Sequence, residues 1–283
     1  MAFYRLASED FHFPWPIPEL EPFEIKDKAV NEAILFVTNK ILKLISQSEG
    51  WVGSAQRFVE VYDTAGGMLL KVEGGGEFFI SPRGGAIDKL NPQAELGQLD
   101  REIILGPGLV LVLALRGIWS LHASAAMYKE KVIVFLGESG QGKSTLAAYL
   151  SHCSDWRLVA DDILPVKIDQ SGVIVQPRYP QLKLPMDDQP GVDLPEQLPL
   201  NTIVVLVQAE ASQMPELDKL STAQAVQSLL GHIAGTRMFN ASLLTKHLEF
   251  STQAAKQISA YRLIHPHRRD TLPLVRELLE KIC

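Results

Sequence analysis

The chain has 283 residues, 46% of them hydrophobic and 21% charged, which excludes a disordered or fibrous protein and leaves room for one large domain or two modest ones. Its net charge of −6 argues against nucleic acid or an anionic membrane as the main partner. The two cysteines, Cys153 and Cys283, form no disulfide framework or metal motif, and the N-terminus is unlike a signal peptide, so a reducing cytoplasmic setting is expected.

In chain order, His12–Pro22 carries Pro14, Pro16, Pro18 and Pro22 and is expected to be extended and held against another element. Ala33–Ile45 has a helical mix of apolar and charged residues. Phe58–Tyr62, Met68–Val72 and Glu77–Ile80 are short β-rich runs, punctuated by Gly66-Gly67, Gly74-Gly75-Gly76 and Gly84-Gly85, a pattern of antiparallel hairpins. The apolar run Ile103–Leu115 is too short for a bilayer span and reads as a buried core helix beginning near Pro107.

From residue 117 onward strands and helices mix. Val132–Leu136 is a strand buried on both faces, Lys143–Ser151 a helix, and Arg157–Ala160 a strand ending in Asp161-Asp162. Val173–Gln176, Thr202–Val207 and Tyr261–Ile264 are further strands; Ala223–Ile233, Leu243–Ile258 and Leu272–Ile282 are helices. The expected organisation is a β-rich N-terminal region over 1–116 and an α/β domain over 117–283.

Gly137-Glu138-Ser139-Gly140-Gln141-Gly142-Lys143-Ser144 fits the Walker A pattern without a mismatch, and Thr145 continues it into the helix. The three glycines permit backbone angles at which successive N–H groups point into one concavity, and the helix offers its positive end to the same anion. Lys143 is expected to neutralise β- and γ-phosphates, and the Ser144 hydroxyl to enter a Mg²⁺ shell. The bland alternative, a glycine-rich turn, requires neither the Lys-Ser pair nor the buried strand before it. Asp161 and Asp162 stand at a strand end about two dozen residues later, where ligands of α/β sheets bind. Adjacent strand residues are expected to face opposite sides, so one carboxylate would reach a metal and the other an attacking hydroxyl; the alternative is an ordinary turn.

His122 lies in Leu121-His122-Ala123-Ser124-Ala125; alone, it would be read as a core histidine. Together with Gly137–Thr145 and Leu158-Val159-Ala160-Asp161-Asp162, this segment resembles the catalytic domain of HPr kinase/phosphorylase. The chain looks closer still to the HPr-kinase-like family that includes lasso-peptide precursor kinases, an impression shared by Tyr4-Arg5 and Pro18-Glu19-Leu20. The motif-level resemblance spans roughly Gly117–Pro185.

The resemblance implies an α/β P-loop kinase core of the HPr kinase and phosphoenolpyruvate carboxykinase type, using ATP and Mg²⁺ to phosphorylate serine. It implies that Asp161 and Asp162 supply the base and a metal or positioning carboxylate, with Asp162 and Ser144 as metal ligands and His122 beside the γ-phosphate or the aspartates. Glu138 stands where HPr kinases usually carry Asp. Their downstream acid-Arg-Gly-rich signature is replaced by Val175-Gln176-Pro177-Arg178-Tyr179-Pro180-Gln181-Leu182-Lys183-Leu184, which puts phosphorolysis in doubt and offers Arg178 or Lys183 as a cation for the transferring group.

His265-Pro266-His267-Arg268-Arg269 reads as a surface turn, and Met186-Asp187-Asp188-Gln189-Pro190 as a loop. The expected acceptor is a serine of a peptide or protein, such as a lasso-peptide precursor, with no nucleic-acid or membrane partner; a homo-oligomer is compatible with the chain. Free serine or another small alcohol, a bifunctional HPr kinase/phosphorylase, and a nucleotide-dependent switch module without transfer activity are the alternatives.

Overall fold

The computed structural model describes residues 2–13, 15–25, 43–64, 66–90, 96–184, 190 and 193–283 of a mixed α/β chain. Two compact units divide it, Met1–Ser120 with Ala234–Lys246, and Leu121–Ile233 with His247–Cys283.

In the first unit β1 (Ala2–Leu6) and β2 (Glu9–Phe13) pair antiparallel. Ala7 and Ser8 between them both have positive φ, the mirror-image turn that suits strand twist, made without the usual Asn-Gly signal. The proline-rich segment does not stay extended. Pro18 opens a 3-10 turn over Pro18–Phe23, where its missing N–H goes unneeded, and the Ile17 N–H donates to the Tyr4 hydroxyl at 2.8 Å. Pro14 is outside the described residues.

An antiparallel meander follows: β3 (Lys43–Val52), β4 (Ala55–Thr64), β5 (Gly67–Val72), β6 (Glu77–Ile80) and β7 (Ile87–Lys89), which includes the expected hairpins. Of the helix expected over Ala33–Ile45, positions 33–42 lie outside the described residues, and Lys43, Leu44 and Ile45 belong to β3. Pairing with β4 outweighs the weak helical preference of those three residues.

The apolar core helix starts earlier than expected. It comprises α1 (Gln98–Ile103), a π-helical turn (Ile104–Gly108) and α2 (Leu109–Leu115). Pro107 therefore lies inside it, within the π turn, which accommodates a residue that has no N–H for the regular ladder.

The second sheet contains β8 (Trp119–Tyr128), β9 (Lys131–Leu136), β10 (Trp156–Asp169), β11 (Gly172–Val175), β12 (Leu198–Gln208), β13 (Glu216–Lys219) and β14 (Ser259–His265). Their order is β11-β10-β8-β9-β12-β14-β13, and β11 also pairs with the start of β12, closing a ring of five strands. β9, β12 and β14 run parallel, whereas β8 is antiparallel to β9 and β13 to β14. The helices are α3 (Lys143–Ser151), α4 (Thr222–His232), α5 (Ala241–Ala254) and α6 (Leu272–Glu280).

Ile133 and Phe135 of β9 pack with Leu146 and Leu150 of α3 and with Val275 and Leu279 of α6. Alternate residues of the buried strand thus seat the helix that follows the glycine loop. No helix among the described residues is long and apolar enough to cross a membrane.

Candidate active site

The glycine loop leaves the C-terminal end of β9 and enters α3, with Gly137 at φ 147° and Gly140 and Gly142 both at 85°. Side chains rarely tolerate such angles, and a β-carbon on Gly137 would also lie 2.7 Å from Gln141 Oε1. Gly142 is the N-cap of α3, so the positive end of that helix opens onto the loop. Lys143 is buried and turns back over the loop, where Nζ donates to the carbonyls of Gly137 at 2.7 Å and Glu138 at 3.1 Å. Burial, with the Lys183 ammonium nearby, holds Lys143 below the ordinary lysine range. Glu138, Ser139, Gly140, Ser144 and Thr145 are exposed along the outer side of the loop and the helix start, and Gln141 is half-buried.

The aspartates occupy a different local structure from the one expected. β10 does not end at Asp161-Asp162 but continues to Asp169, and Asp162 has φ 129°. Ser124 Oγ, on β8, donates to Asp161 Oδ1 at 2.6 Å, while His122 Nε2 lies 3.5 Å from Asp162 Oδ1. His122 and Ser124 are two residues apart and share one face of β8. Both carboxylates therefore reach the same face, not opposite faces, because the irregular backbone at Asp162 breaks the alternation.

Gln181 holds this kink. It is buried; its Oε1 accepts from the Asp161 N–H at 2.8 Å, and its Nε2 donates to the Ile163 carbonyl at 2.9 Å and the Tyr179 carbonyl at 3.1 Å. One side-chain amide thus satisfies the backbone on both sides of Asp162, where a regular ladder partner would otherwise be needed. No motif marked Gln181 beforehand, although it lies in the segment that replaces the HPr kinase signature. Tyr179 is fully buried beside Asp162, and that burial pushes its phenol well above the usual range.

Lys183 donates to Asp162 Oδ1 at 2.6 Å, so of the two candidate cations it is the one that joins the carboxylates. Arg178 instead donates to the Leu194 carbonyl at 3.0 Å and faces Glu196 at 3.7 Å. The His122 and Lys183 side chains are 43% and 62% exposed, against 21% for Asp162, so this flank opens to solvent. Partial burial first, and then the charge of Lys143, lowers His122 below the ordinary imidazole value, against the pull of Asp162. The charges of Asp162 and Asp161 act on Lys143 in the opposite sense, raising it.

Among the described residues no group of three or more His, Cys, Asp or Glu forms a metal cage. Ser144 is exposed at the helix start and Asp162 keeps a second carboxylate oxygen besides the one bonded to Lys183, a donor set of the kind that would suit a Mg²⁺ carrying phosphate and water ligands of its own. The segment expected to be a surface turn is not one throughout: His265 is buried and, with His267, lies against Gly142. Its role as the last residue of β14, next to a parallel strand, was hidden by the short apolar run before it. Residues 186–189 of the second Asp-Asp segment are outside the described residues.

No family model and no curated protein matches the chain. Among solved structures it is similar to the HPr(Ser) kinase/phosphatase from Coxiella burnetii, with 15% identity and a TM-score of 0.34 over 57% of this chain and 88% of that one. A likeness of that size carries no argument about function.

Proposed function

We propose that the chain is an ATP- and Mg²⁺-dependent kinase that transfers the γ-phosphoryl group to a serine hydroxyl of a peptide or protein. The observation that carries this reading is the convergence of Asp161, Asp162, His122 and Lys183 on the Lys143 side of a left-handed glycine loop. A nucleotide-binding switch needs the loop and has no use for a second, hydrogen-bonded carboxylate beside it.

In this reading Lys143 exchanges the carbonyls of Gly137 and Glu138 for oxygens of the β- and γ-phosphates. Ser144 and Asp162 would hold Mg²⁺, which would supply positive charge to offset that of the phosphates. The serine oxygen attacks phosphorus, the bond to the bridging β,γ-oxygen breaks, ADP leaves, and Asp161 takes the hydroxyl proton. Asp161 is the better placed of the two carboxylates. A proton delivered to Asp162 would meet the Lys183 ammonium, whereas at Asp161 it meets the neutral Ser124 hydroxyl. Lys183, exposed beside Asp162, steadies the transferring group.

The solvent-open flank at His122 and Lys183 favours a chain-like acceptor over a small alcohol, which would need a closed pocket. The resemblance to lasso-peptide precursor kinases makes a ribosomal peptide precursor the first acceptor to try. The test is incubation with labelled Mg-ATP and candidate peptides, proteins and free serine, followed by mass spectrometry. Phosphoserine on a peptide, absent with Lys143→Ala, is the expected result. Label on free serine alone would overturn the peptide assignment, and ATP binding without transfer to any hydroxyl would leave the switch module standing instead.

A further inference from the structure

Two histidines beside the glycine loop take no part in the chemistry above. His265 ends β14 and is buried; His267 follows it and is exposed, with the two rings 5.6 Å apart and tilted by 41°. A β-carbon on Gly142 would lie 3.8 Å from His267 Nε2 and 4.0 Å from His265 Cε1, so both rings face the third glycine of the loop. His265 Nδ1 is 3.2 Å from the Pro266 carbonyl, which can only accept. In the neutral ring Nε2 then carries the lone pair, and that nitrogen is buried without a partner. A buried acceptor left unpaired next to a ligand loop calls for a physical explanation.

The rings and the reacting groups belong to strands reached from opposite edges of β9. β8 and β10, which carry His122, Ser124 and the aspartates, lie on one side of β9; β12 and β14 lie on the other. The electrostatics agree. His122 feels the charges of Lys143 and Lys183, whereas the charged neighbour that lowers His265, after burial, is His267. A triphosphate with its γ-group at Lys143 and the carboxylates would have the Gly142 side of the loop, where the two rings stand, for its nucleoside end. Two imidazoles without a third ligand make no metal cage there.

We propose that His265 and His267 form the nucleoside-recognition wall of this site: His267 stacks on the base, and His265 Nε2 accepts a hydrogen bond from a ribose hydroxyl or an exocyclic amine. This assignment rests on the nucleotide reading of the glycine loop and adds to it the residues that tell a nucleotide from bare polyphosphate. Base-on-ring stacking is tolerant of the ring's identity, so an aromatic replacement at 267 keeps the contact.

The test compares the binding of Mg-ATP and of inorganic tripolyphosphate by calorimetry, for the unaltered chain, His267→Ala and His267→Phe. His267 is exposed, so neither replacement disturbs the core. His267→Ala is expected to weaken Mg-ATP about tenfold and to leave tripolyphosphate unchanged, with His267→Phe restoring most of the loss. Equal weakening of both ligands would overturn the assignment by making the histidines phosphate contacts. Unchanged ATP affinity in His267→Ala would overturn it while leaving the nucleotide reading intact. If the unaltered chain bound neither ligand, the nucleotide reading itself would fall, and this assignment with it.

Discussion

Each unit of the molecule contains an aspartate–lysine pair, and the two are built to opposite ends. In the first unit Lys89 donates to Asp100 Oδ2 at 2.7 Å, and the side chains are only 7% and 11% exposed. The same carboxylate accepts from the Gly97 N–H at 3.2 Å and the Gly76 N–H at 3.1 Å, so it caps α1 and ties it to the end of the hairpin before β6. Its hydrogen-bonding capacity is largely committed. In the second unit Asp162 sits at a strained backbone angle, its lysine partner is mostly in water, and His122 stands 3.5 Å off. A structural ion pair spends its capacity on the fold, whereas a site leaves carboxylate oxygens and a cation free to exchange partners. The energetic rule is the same in both places: burial raises the cost of breaking a pair, and exposure lowers it.

That contrast can be broken by mutation. The largest expected effect is at the site. Asp161→Asn should lower phosphoryl transfer about 10²–10⁴-fold in a labelled-ATP assay while the protein stays folded. Retained transfer would remove Asp161 as the base. Next comes Lys89→Met in the first unit, which leaves the buried Asp100 with its two backbone donors and without its cation. Denaturant titration should show a loss of about 3–5 kcal/mol, with transfer per folded molecule unchanged. An activity loss there would mean that the two pairs do not divide into structural and functional roles.

Gln181→Leu falls between the two. Leaving the Asp161 N–H and the Ile163 carbonyl unpaired should cost about 1–3 kcal/mol. Misplacing the carboxylates should lower kcat by up to about 10²-fold with KM little changed. A stability loss without a kcat loss would make Gln181 a fold residue alone. Lys183→Met should change stability by no more than about 1 kcal/mol, because its ammonium is well solvated.

The smallest effect is on pH dependence. His122, His247 and His265 are all lowered chiefly by burial, so the unfolded chain binds more protons than the folded one near and below the ordinary imidazole value of about 6.5. Their stabilising contribution is complete above that value and is lost as pH falls through their folded values. The thermal midpoint should therefore drop between about pH 7 and pH 5, and His265→Leu should flatten part of that slope. A midpoint that is level over this range would contradict the effect of burial on His247 and His265, the two buried rings.

Some of this architecture was legible from local pattern. The meander of β4, β5 and β6 is legible in β-rich runs separated by glycines, and α3 in the buried strand and glycine-rich loop that precede it. β8 escaped notice for a specific reason: its hairpin with β9 turns through Lys129 and Glu130, both at positive φ without a glycine to signal it. Ala7-Ser8 hid the β1–β2 hairpin in the same way. The start of the core helix was misjudged because proline normally marks a first turn, and here a π turn took it into the interior.

By itself, the sequence determined the glycine loop and the identity of its neighbours, Lys143 and Ser144, because a phosphate cradle is a local structure built from consecutive backbone groups. It also supplied Asp161-Asp162 and His122 as residue types suited to the chemistry. Tertiary structure alone decided how those carboxylates point. Asp162 leaves the regular strand path, Gln181 from 20 residues away satisfies the backbone that this exposes at Asp161, and both acids turn to one face of β8. It likewise decided that His265 is buried at the loop and not in a surface turn, since only the parallel alignment of β9, β12 and β14 brings their C-terminal ends together. Local physics chooses a turn or a helix; which distant side chains meet there depends on strand order, and strand order is a property of the whole sheet.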